Sequence, residues 1–391
     1  MNNFVYHVPT EVVFGRGAEN ETAALIGKYG GSRVLIVYGG GSIVKSGLLG
    51  KIREQLEAAG LAACEFGGAK PNPLLSHARE GVQKAIGFGA DFILAIGGGS
   101  SIDTAKAIAH GTAAPETDIW EFWMKEKNVE KTTPLGVILT IAAAGSETSN
   151  SAVLTNPEME RKKGLTTEFN RPLFAVMNPE FTFTLPHFQL ACGITDIMMH
   201  TLDRYINPLD NEMTDAIAEA LLRTVVAAGR KAVRDQTDYE AMSEIMWAGS
   251  LSHNTLTGLG ARFDMTCHQL GHALSARYDM AHGASLSATW ASLARYIYDA
   301  KPERFARYAR NVWGIEEADD GRAALAGIDA TEEYFRSIGV PVRLSEGIEE
   351  EISDKDLKHL AHSCSFQGTR TIGTLKVLDE NDMYEIYRMA L

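Results

Sequence analysis

The chain has 391 residues, 45% of them hydrophobic and 22% charged, which is typical of a globular protein too long for one ordinary core. Its net charge of −13 argues against a broad surface for nucleic acid or anionic membranes. The N-terminus lacks a signal-peptide pattern, no run of about 18 apolar residues occurs, and the four cysteines form no CxxC pair. We therefore expect a soluble, cytoplasmic, two-domain protein with reduced thiols and without nucleic-acid or membrane partners.

The first half of the chain alternates short apolar runs with helical stretches. Helices are expected over 45–60, around 77–88 and from the glycines at 97–99 through 109. Repetition of strand, glycine turn and helix is the pattern of a parallel α/β sheet that binds ligands at the carboxyl ends of its strands. The predicted strands are 33–38, 61–66, 91–96, 135–140 and 171–178.

The second half has a different character. Past Pro186, helical periodicity dominates and β-branched runs are few. We place the boundary between 180 and 190, and predict an α/β dinucleotide-binding domain over 1–185 and an all-helical domain over 186–391. The predicted helical stretches are 187–234, 238–262, 264–277 and 285–312.

The most informative turn is GGGSSIDTAK at 97–106, directly after an apolar strand. Glycines let the backbone approach a pyrophosphate, and the helix that follows offers free N–H donors at its start. The alternative is a tight β–α turn without a ligand, because the motif is not GxGxxG. A second glycine turn at 39–42, after a neighbouring strand, favours the nucleotide interpretation.

The residue that ends the first strand bears on cofactor choice. NAD-selective folds usually carry an acidic residue there, which binds the adenosine ribose. This chain has Gly39 instead, and Ser42 can donate to a 2′-phosphate. The pattern favours NADP over NAD, with ribose contacts from elsewhere as the alternative.

Two spaced sets of polar residues form a candidate metal site. Asp196 and His200 are four residues apart, so they share a helix face, and His268 and His282 flank His272 further on. A lone Asp/His pair is more often a surface ion pair, and a lone histidine in apolar surroundings is more often a packed core residue. Four such groups that could converge favour a divalent transition metal, and a metal with a nucleotide indicates metal-assisted redox chemistry. The remaining histidines, including His110 and His253, we interpret as structural or surface residues.

Motifs along nearly the whole chain resemble those of the iron-containing, or group III, alcohol dehydrogenases, most of all the NADPH-dependent butanol dehydrogenases and broad aldehyde reductases. The resemblance implies an α/β dinucleotide domain, an all-helical domain and a metal in the cleft between them. The matching segments are FGRGA, PNP, GGGSSIDTAK, AAAGSETSNSAVLT, NPEFTFTLP, GITDIMMH, HQLGHAL with the later HG, and TIGTLKVLDENDMYEIYRMA.

The resemblance also implies roles for individual residues. The family's metal ligands correspond to Asp196, His200, His268 and His282, and its additional histidine corresponds to His272. One departure is Ala144, where the family commonly has threonine, so a hydroxyl contact to the cofactor is lost and Thr140 and Ser149 remain as nearby donors. The implied cofactor contacts are Gly40, Gly41, Ser42, Asn72, Gly98, Gly99, Ser100, Asp103, Thr140, Ser149 and Lys163.

We expect a reversible reaction in which NADP(H) exchanges hydride with small aliphatic primary alcohols or aldehydes, such as butanol and butanal. One divalent metal, Fe²⁺ or Zn²⁺, acts as a Lewis acid, and His272 relays the proton because imidazoles titrate near neutrality. We expect a homodimer. Three alternatives are an NAD-dependent polyol dehydrogenase of the glycerol type from the same superfamily, a non-enzymatic nucleotide or metal sensor, and a metal hydrolase.

Overall fold

The computed structural model describes residues 1–263 and 265–391, which form two compact units. The sheet unit comprises His7–Thr184, and the helical unit comprises Leu185–Leu391 together with Met1–Tyr6. The boundary expected from the sequence places the first six residues in the α/β domain. They belong to the helical unit, where the backbone N–H of Asn2 donates to the carbonyl of Gly260 at 2.9 Å.

The sheet unit is built on six parallel strands in the order β1-β8-β5-β4-β2-β3, with a separate antiparallel hairpin of β6 and β7. Its strands are β1 (Glu11–Phe14), β2 (Arg33–Tyr38), β3 (Ala62–Phe66), β4 (Phe92–Gly97), β5 (Leu135–Leu139), β6 (Ser151–Asn156), β7 (Arg161–Thr166) and β8 (Phe174–Met177). Its helices are α1 (Thr22–Lys28), α2 (Ser42–Lys45), α3 (Leu48–Ala58), α4 (Leu75–Phe88), α5 (Gly99–Ala113) and α6 (Ile119–Trp123).

The central strands of this sheet are apolar throughout because both of their faces are covered. Every residue of β4, β5 and β8 is buried, which is usual for parallel sheets. These continuous runs are what the sequence pattern detected, and all five predicted strands are present as β2, β3, β4, β5 and β8. β1 and the β6–β7 hairpin were not predicted.

The sheet reverses its direction of growth between β2 and β4. These strands are neighbours, with Tyr38 opposite Ile96, yet the chain continues from β2 to β3 on one side and from β4 to β5 on the other. The loops at such a reversal diverge and leave a crevice, where open α/β sheets bind their ligands. Both glycine turns, 39–41 and 97–99, end strands at this point.

The helical unit contains ten helices among the described residues. The predicted stretch 187–234 is interrupted around Pro208, and 285–312 is interrupted before Pro302, because proline cannot continue a helix in its interior. The predicted helix 264–277 starts at a residue outside the described ones, and the helix seen there is α10. The helices are α7 (His187–Tyr205), α8 (Glu212–Ala232), α9 (Tyr239–His253), α10 (Thr266–Tyr278), α11 (His282–Ile297), α12 (Pro302–Trp313), α13 (Asp320–Ile338), α14 (Leu344–Gly347), α15 (Asp354–Cys364) and α16 (Glu380–Ala390).

Helix α11 forms the centre of the helical unit and packs against α7, α10, α13 and α16. Its small residues allow close approach: a Cβ atom added at Gly283 would lie 2.2 Å from the carbonyl oxygen of Cys192 on α7. This packing brings the start of α11 beside the middle of α7. The predicted fold class, an α/β domain followed by an all-helical domain, is confirmed. Among the described residues, the helices are too short or too polar for a transmembrane span.

Candidate metal centre and nucleotide site

The four predicted metal ligands lie close together in the helical unit. Three imidazole Nε2 atoms face one oxygen, Oδ1 of Asp196, at 3.4 Å from His200, 3.6 Å from His268 and 3.6 Å from His282. These distances exceed those of hydrogen bonds. In the described part of the chain, Asp196 Oδ1 and His268 Nε2 are buried without a hydrogen-bond partner. Leaving buried polar atoms unsatisfied is costly, so the cluster fits a further bound group.

The four ligands are not equally close to one another. The donor atoms of Asp196, His268 and His282 all lie within 4.8 Å of each other, a set that does not include His200. The His200 ring lies between two other imidazoles, with its centroid 3.8 Å from that of His253 and 4.3 Å from that of His268. One carboxylate and three imidazoles suit Fe²⁺ or Zn²⁺, so the residues present fit a transition metal.

Burial and neighbouring charges set the protonation of these histidines. Burial lowers the pKa of His200 well below its ordinary value, and the imidazoles of His253 and His268 act in the same direction. Burial would also lower the pKa of His268, but the carboxylates of Asp196 and Asp203 outweigh it and raise that pKa. His200 is therefore held in the neutral form that binds metals.

Asp203 contacts this cluster and was not predicted. Its Oδ2 atom lies 2.6 Å from Nδ1 of His268, on the opposite side of the ring from Nε2. The signal in the sequence is its spacing, because Asp203 is three residues after His200 and therefore on the same face of α7. His253 was interpreted as structural or surface, and its contact with His200 could not be predicted from the sequence pattern.

His272 lies on α10 one turn after His268 and is partly exposed. Its ring centroid is 5.6 Å from that of His282, with an interplanar angle of 31°. It is thus next to the cluster without joining the set of mutually close donor atoms around Asp196.

The two glycine turns of the sheet unit lie at the strand ends where the sheet reverses. Gly40 and Gly41 are exposed, Ser42 begins α2, and Gly98 is the N-cap of α5. A Cβ atom at Gly98 would lie 2.8 Å from Ile141, so packing itself requires glycine there.

Asp103 on α5, which was predicted to contact the cofactor, binds the loop after β5 and the strand β6. Its Oδ1 accepts a hydrogen bond from the Ser146 hydroxyl at 2.5 Å, and its Oδ2 accepts one from the backbone of Val153 at 2.9 Å. Both carboxylate oxygens are therefore used within the protein.

Ser149 was also predicted as a cofactor donor, but it is fully buried. Its carbonyl oxygen accepts a hydrogen bond from Lys106 at 3.2 Å, and its hydroxyl donates to the carbonyl of Ser151 at 3.3 Å. Ser149 thus offers no exposed surface to a nucleotide, contrary to the sequence-based expectation.

The other predicted cofactor residues lie around these turns or on the hairpin. Thr140 follows β5, and its N–H donates to the Gly97 carbonyl at 3.0 Å. Asn72 is buried and accepts a hydrogen bond from Lys162 at 2.8 Å, whereas Lys163 on β7 is 3.7 Å from the sulfur of Met124. Ser100 lies in the first turn of α5.

Comparison with known proteins identifies the family. The profile described as iron-containing alcohol dehydrogenase matches residues 9–179, and the profile for the C-terminal part of the Fe-containing alcohol dehydrogenase family matches residues 190–391. The chain belongs to the iron-containing alcohol dehydrogenase family. It is therefore an enzyme of the alcohol dehydrogenase and aldehyde reductase class, and the family implies a nicotinamide cofactor and a divalent metal.

Similar members of this family cover the whole chain or most of it. NADH-dependent butanol dehydrogenase A of Clostridium acetobutylicum is 38% identical over 100% of both chains. The NADPH-dependent aldehyde reductase YqhD of Escherichia coli is 36% identical over 88% of this chain and 89% of its own. The crystal structure of NADH-dependent butanol dehydrogenase A from Thermotoga maritima has a TM-score of 0.95 at 33% identity, covering 100% of this chain and 99% of that one.

Proposed function

We propose that this iron-containing alcohol dehydrogenase is a metal-dependent reductase that interconverts small aliphatic aldehydes and primary alcohols with NADP(H). The observation that carries the proposal is the convergence of three imidazole Nε2 atoms on Oδ1 of Asp196. A buried carboxylate oxygen facing three nitrogen donors matches the ligand chemistry of a divalent transition metal.

Asp196, His200, His268 and His282 would hold the metal, and their donor set suits Fe²⁺ and Zn²⁺ alike. When bound, the metal supplies positive charge that polarises a carbonyl oxygen, and the nicotinamide supplies the hydride. Three of these ligands, Asp196, His200 and His268, are buried and shielded from water, whereas His282 is partly exposed.

His272 is our candidate for moving the proton that the reduction consumes. It lies one turn after His268 and beside His282, and part of its surface is exposed. An imidazole in that position can take a proton from solvent and deliver it, directly or through water, to the oxygen of the product alcohol.

Selection of NADPH would come from the turn after β2. Gly39 places no carboxylate against a 2′-phosphate, and Ser42 can donate a hydrogen bond to it. Lys45 adds a positive charge close to this turn. Its Cε atom lies 3.9 Å from the position that a Cβ atom on Gly41 would occupy. The relatives include proteins named for NADH and for NADPH, so the proposal depends on these residues of this chain.

The substrate proposal follows the relatives that are named butanol dehydrogenases and aldehyde reductase. It is tested by the loss of NADPH absorbance on addition of butanal, with NADH measured in parallel. The enzyme is first freed of metal and then reloaded with Fe²⁺ or Zn²⁺ under anaerobic conditions. We expect turnover only after reloading, and faster turnover with NADPH.

Other outcomes of this assay would identify the alternatives. Oxidation of glycerol with NAD⁺, without activity on butanal, would indicate a polyol dehydrogenase. Tight nucleotide binding without any turnover would indicate a sensor. Undiminished butanal reduction by the metal-free protein would contradict the metal-dependent mechanism.

A further inference from the structure

We infer that Asp203 is a positioning residue, which holds the ring of His268 so that its Nε2 atom faces Oδ1 of Asp196. The inference deepens the proposed function, because it rests on His268 being a metal ligand. It assigns to Asp203 the control of the orientation and the tautomer of that ligand.

Asp203 makes three contacts with the start of α10, one to the His268 ring and two to the backbone. Its Oδ2 atom is 2.6 Å from Nδ1 of His268 and 3.2 Å from the backbone nitrogen of the same residue, and its Oδ1 atom is 3.1 Å from the backbone nitrogen of Cys267. The shortest of these contacts is the one to the ring. Asp203 therefore holds both the ring and the backbone that carries it.

These contacts determine the tautomer. An ionised carboxylate can only accept hydrogen bonds, so Nδ1 of His268 must carry the hydrogen. In the neutral ring, Nε2 then keeps its lone pair for a ligand. Nε2 is the atom that lies 3.6 Å from Asp196 Oδ1 and has no hydrogen-bond partner in the described part of the chain. Carboxylates that accept from the far nitrogen of a metal-bound histidine raise its basicity and fix its orientation.

Asp203 also replaces the missing cap of α10. The N-cap residue of that helix, Met265, supplies no side-chain hydrogen bond. Asp203 instead accepts hydrogen bonds from the backbone N–H groups of Cys267 and His268, which belong to the first turn. A capping role alone would need only those backbone contacts. The test must therefore separate the contact to the His268 ring from the contribution to folding.

A matched control exists in the same unit. Asp215 is also buried, with 3% of its side chain exposed against 7% for Asp203, and its carboxylate binds Arg304 at 2.5 and 2.6 Å. For Asp203, the ion pair found among the described residues is the one with His268. Replacing Asp215 thus disturbs a buried carboxylate without touching a proposed metal ligand.

The experiment measures metal affinity without turnover. The wild-type protein and the variants Asp203→Asn, Asp203→Glu and Asp215→Asn are freed of metal and titrated with Co²⁺ against a competing chelator. The visible spectrum of bound Co²⁺ reports ligand geometry, and circular dichroism reports folding and the Tm. We expect Asp203→Asn to bind Co²⁺ about 10–100-fold more weakly with an altered spectrum, the usual effect of losing such a partner. Asp215→Asn should lower the Tm and keep the wild-type affinity and spectrum.

Asp203→Glu keeps the carboxylate but changes its position. If the Asn variant does not fold, the Glu variant can still be measured. Asp203 borders a small cavity of about 20 Å³, a volume that can hold about one water molecule. We expect this variant to fold, to bind Co²⁺ more tightly than Asp203→Asn and to show a shifted spectrum because the His268 ring moves. Wild-type affinity and spectrum in every folded Asp203 variant would overturn the inference. Failure of the wild-type protein to bind Co²⁺ would instead contradict the proposed metal site itself.

Discussion

The ammonium nitrogen of Lys106 lies 2.7 Å from the main-chain oxygen of Ser151, 45 residues further along the chain. It also donates to the carbonyl of Ser146 at 2.7 Å, and Lys106 is fully buried. Burial lowers the pKa of Lys106 to about 8. The last residue of the glycine-rich motif thus fixes the loop after β5 to α5.

Replacing Lys106 by methionine should destabilise the sheet unit. The change removes the hydrogen bonds that fix the loop at 146–151, and of the positive charges of Lys106 and Lys162 that act on Asp103 it leaves only that of Lys162. We expect a loss of about 3–5 kcal/mol in the free energy of unfolding, the scale of removing one of two interacting charges in the protein interior, and a raised KM for the nicotinamide cofactor. Denaturant titration and steady-state kinetics measure both effects. Lys84→Met, at an exposed position of α4, should change stability by less than about 0.5 kcal/mol.

Acid should destabilise the sheet unit through His110, which the sequence analysis interpreted as structural or surface. Burial lowers its pKa from 6.5 to about 4, although Nε2 hydrogen-bonds with Asn170 at 2.7 Å. The unfolded chain then binds the proton more readily than the folded one. The contribution of neutral His110 to the free energy of unfolding is fully present above about pH 6.5. Roughly 3 kcal/mol of this contribution is lost as the pH falls to 4.

The comparison that isolates this effect is between the wild-type protein and His110→Gln. We expect the variant to lose less stability between pH 6.5 and 4 in urea titrations, because its side chain does not titrate. Equal slopes for wild type and His110→Gln would contradict the prediction.

A carboxylate at position 39 should weaken NADPH relative to NADH. In Gly39→Asp the new charge would lie where we propose that the 2′-phosphate binds, and like charges there cost about 1–3 kcal/mol in relative kcat/KM. A Cβ atom at this position would lie 3.2 Å from the carbonyl of Ala69 and 3.3 Å from the hydroxyl of Ser101. Gly39→Asn introduces the same bulk without charge and should affect both cofactors alike. Higher kcat/KM with NADH in the unmodified enzyme would contradict the NADPH proposal.

The sequence predicted the parts of the fold that depend on local pattern. Apolar runs followed by glycine turns predicted five of the six strands of the parallel sheet, and prolines mark where the long helical stretches divide. The β6–β7 hairpin was missed because β7 reads RKKGLT, which has no apolar alternation. Its strand depends on tertiary contacts, such as the hydrogen bond from Lys162 to Asn72 at 2.8 Å.

The candidate site was predictable only where it depends on the spacing of residues along one helix. Asp196 and His200 could be paired from their spacing, since four residues make one helical turn. That His253 would lie against His200, or that Ser149 would be buried against Lys106, depends on contacts between distant segments. No local pattern encodes such contacts, so the sequence gives the types of residue at the site and not all of their neighbours.

Removing a proposed ligand should remove the metal. His268→Ala and His282→Ala each delete one imidazole that faces Asp196, and we expect loss of bound metal by elemental analysis together with loss of activity. His187→Ala, at an exposed position of α7, is the control and should retain both. Unchanged metal content in both ligand variants would contradict the assignment.

His272→Ala should lower the rate while the metal stays bound. The side chain lies beside His282 but outside the set of mutually close donors around Asp196, so its loss leaves the proposed ligands intact. We expect kcat to fall by about 10²–10⁴-fold, the usual size of a lost acid–base contribution, and the limb near neutrality to disappear from the pH–rate profile. Metal content and the pH dependence of kcat are the two measurements. Complete loss of metal would indicate that His272 is itself a ligand. Wild-type kcat with an unchanged pH profile would show that His272 does not take part in proton transfer and only packs against its neighbours. The proton would then have to come from solvent.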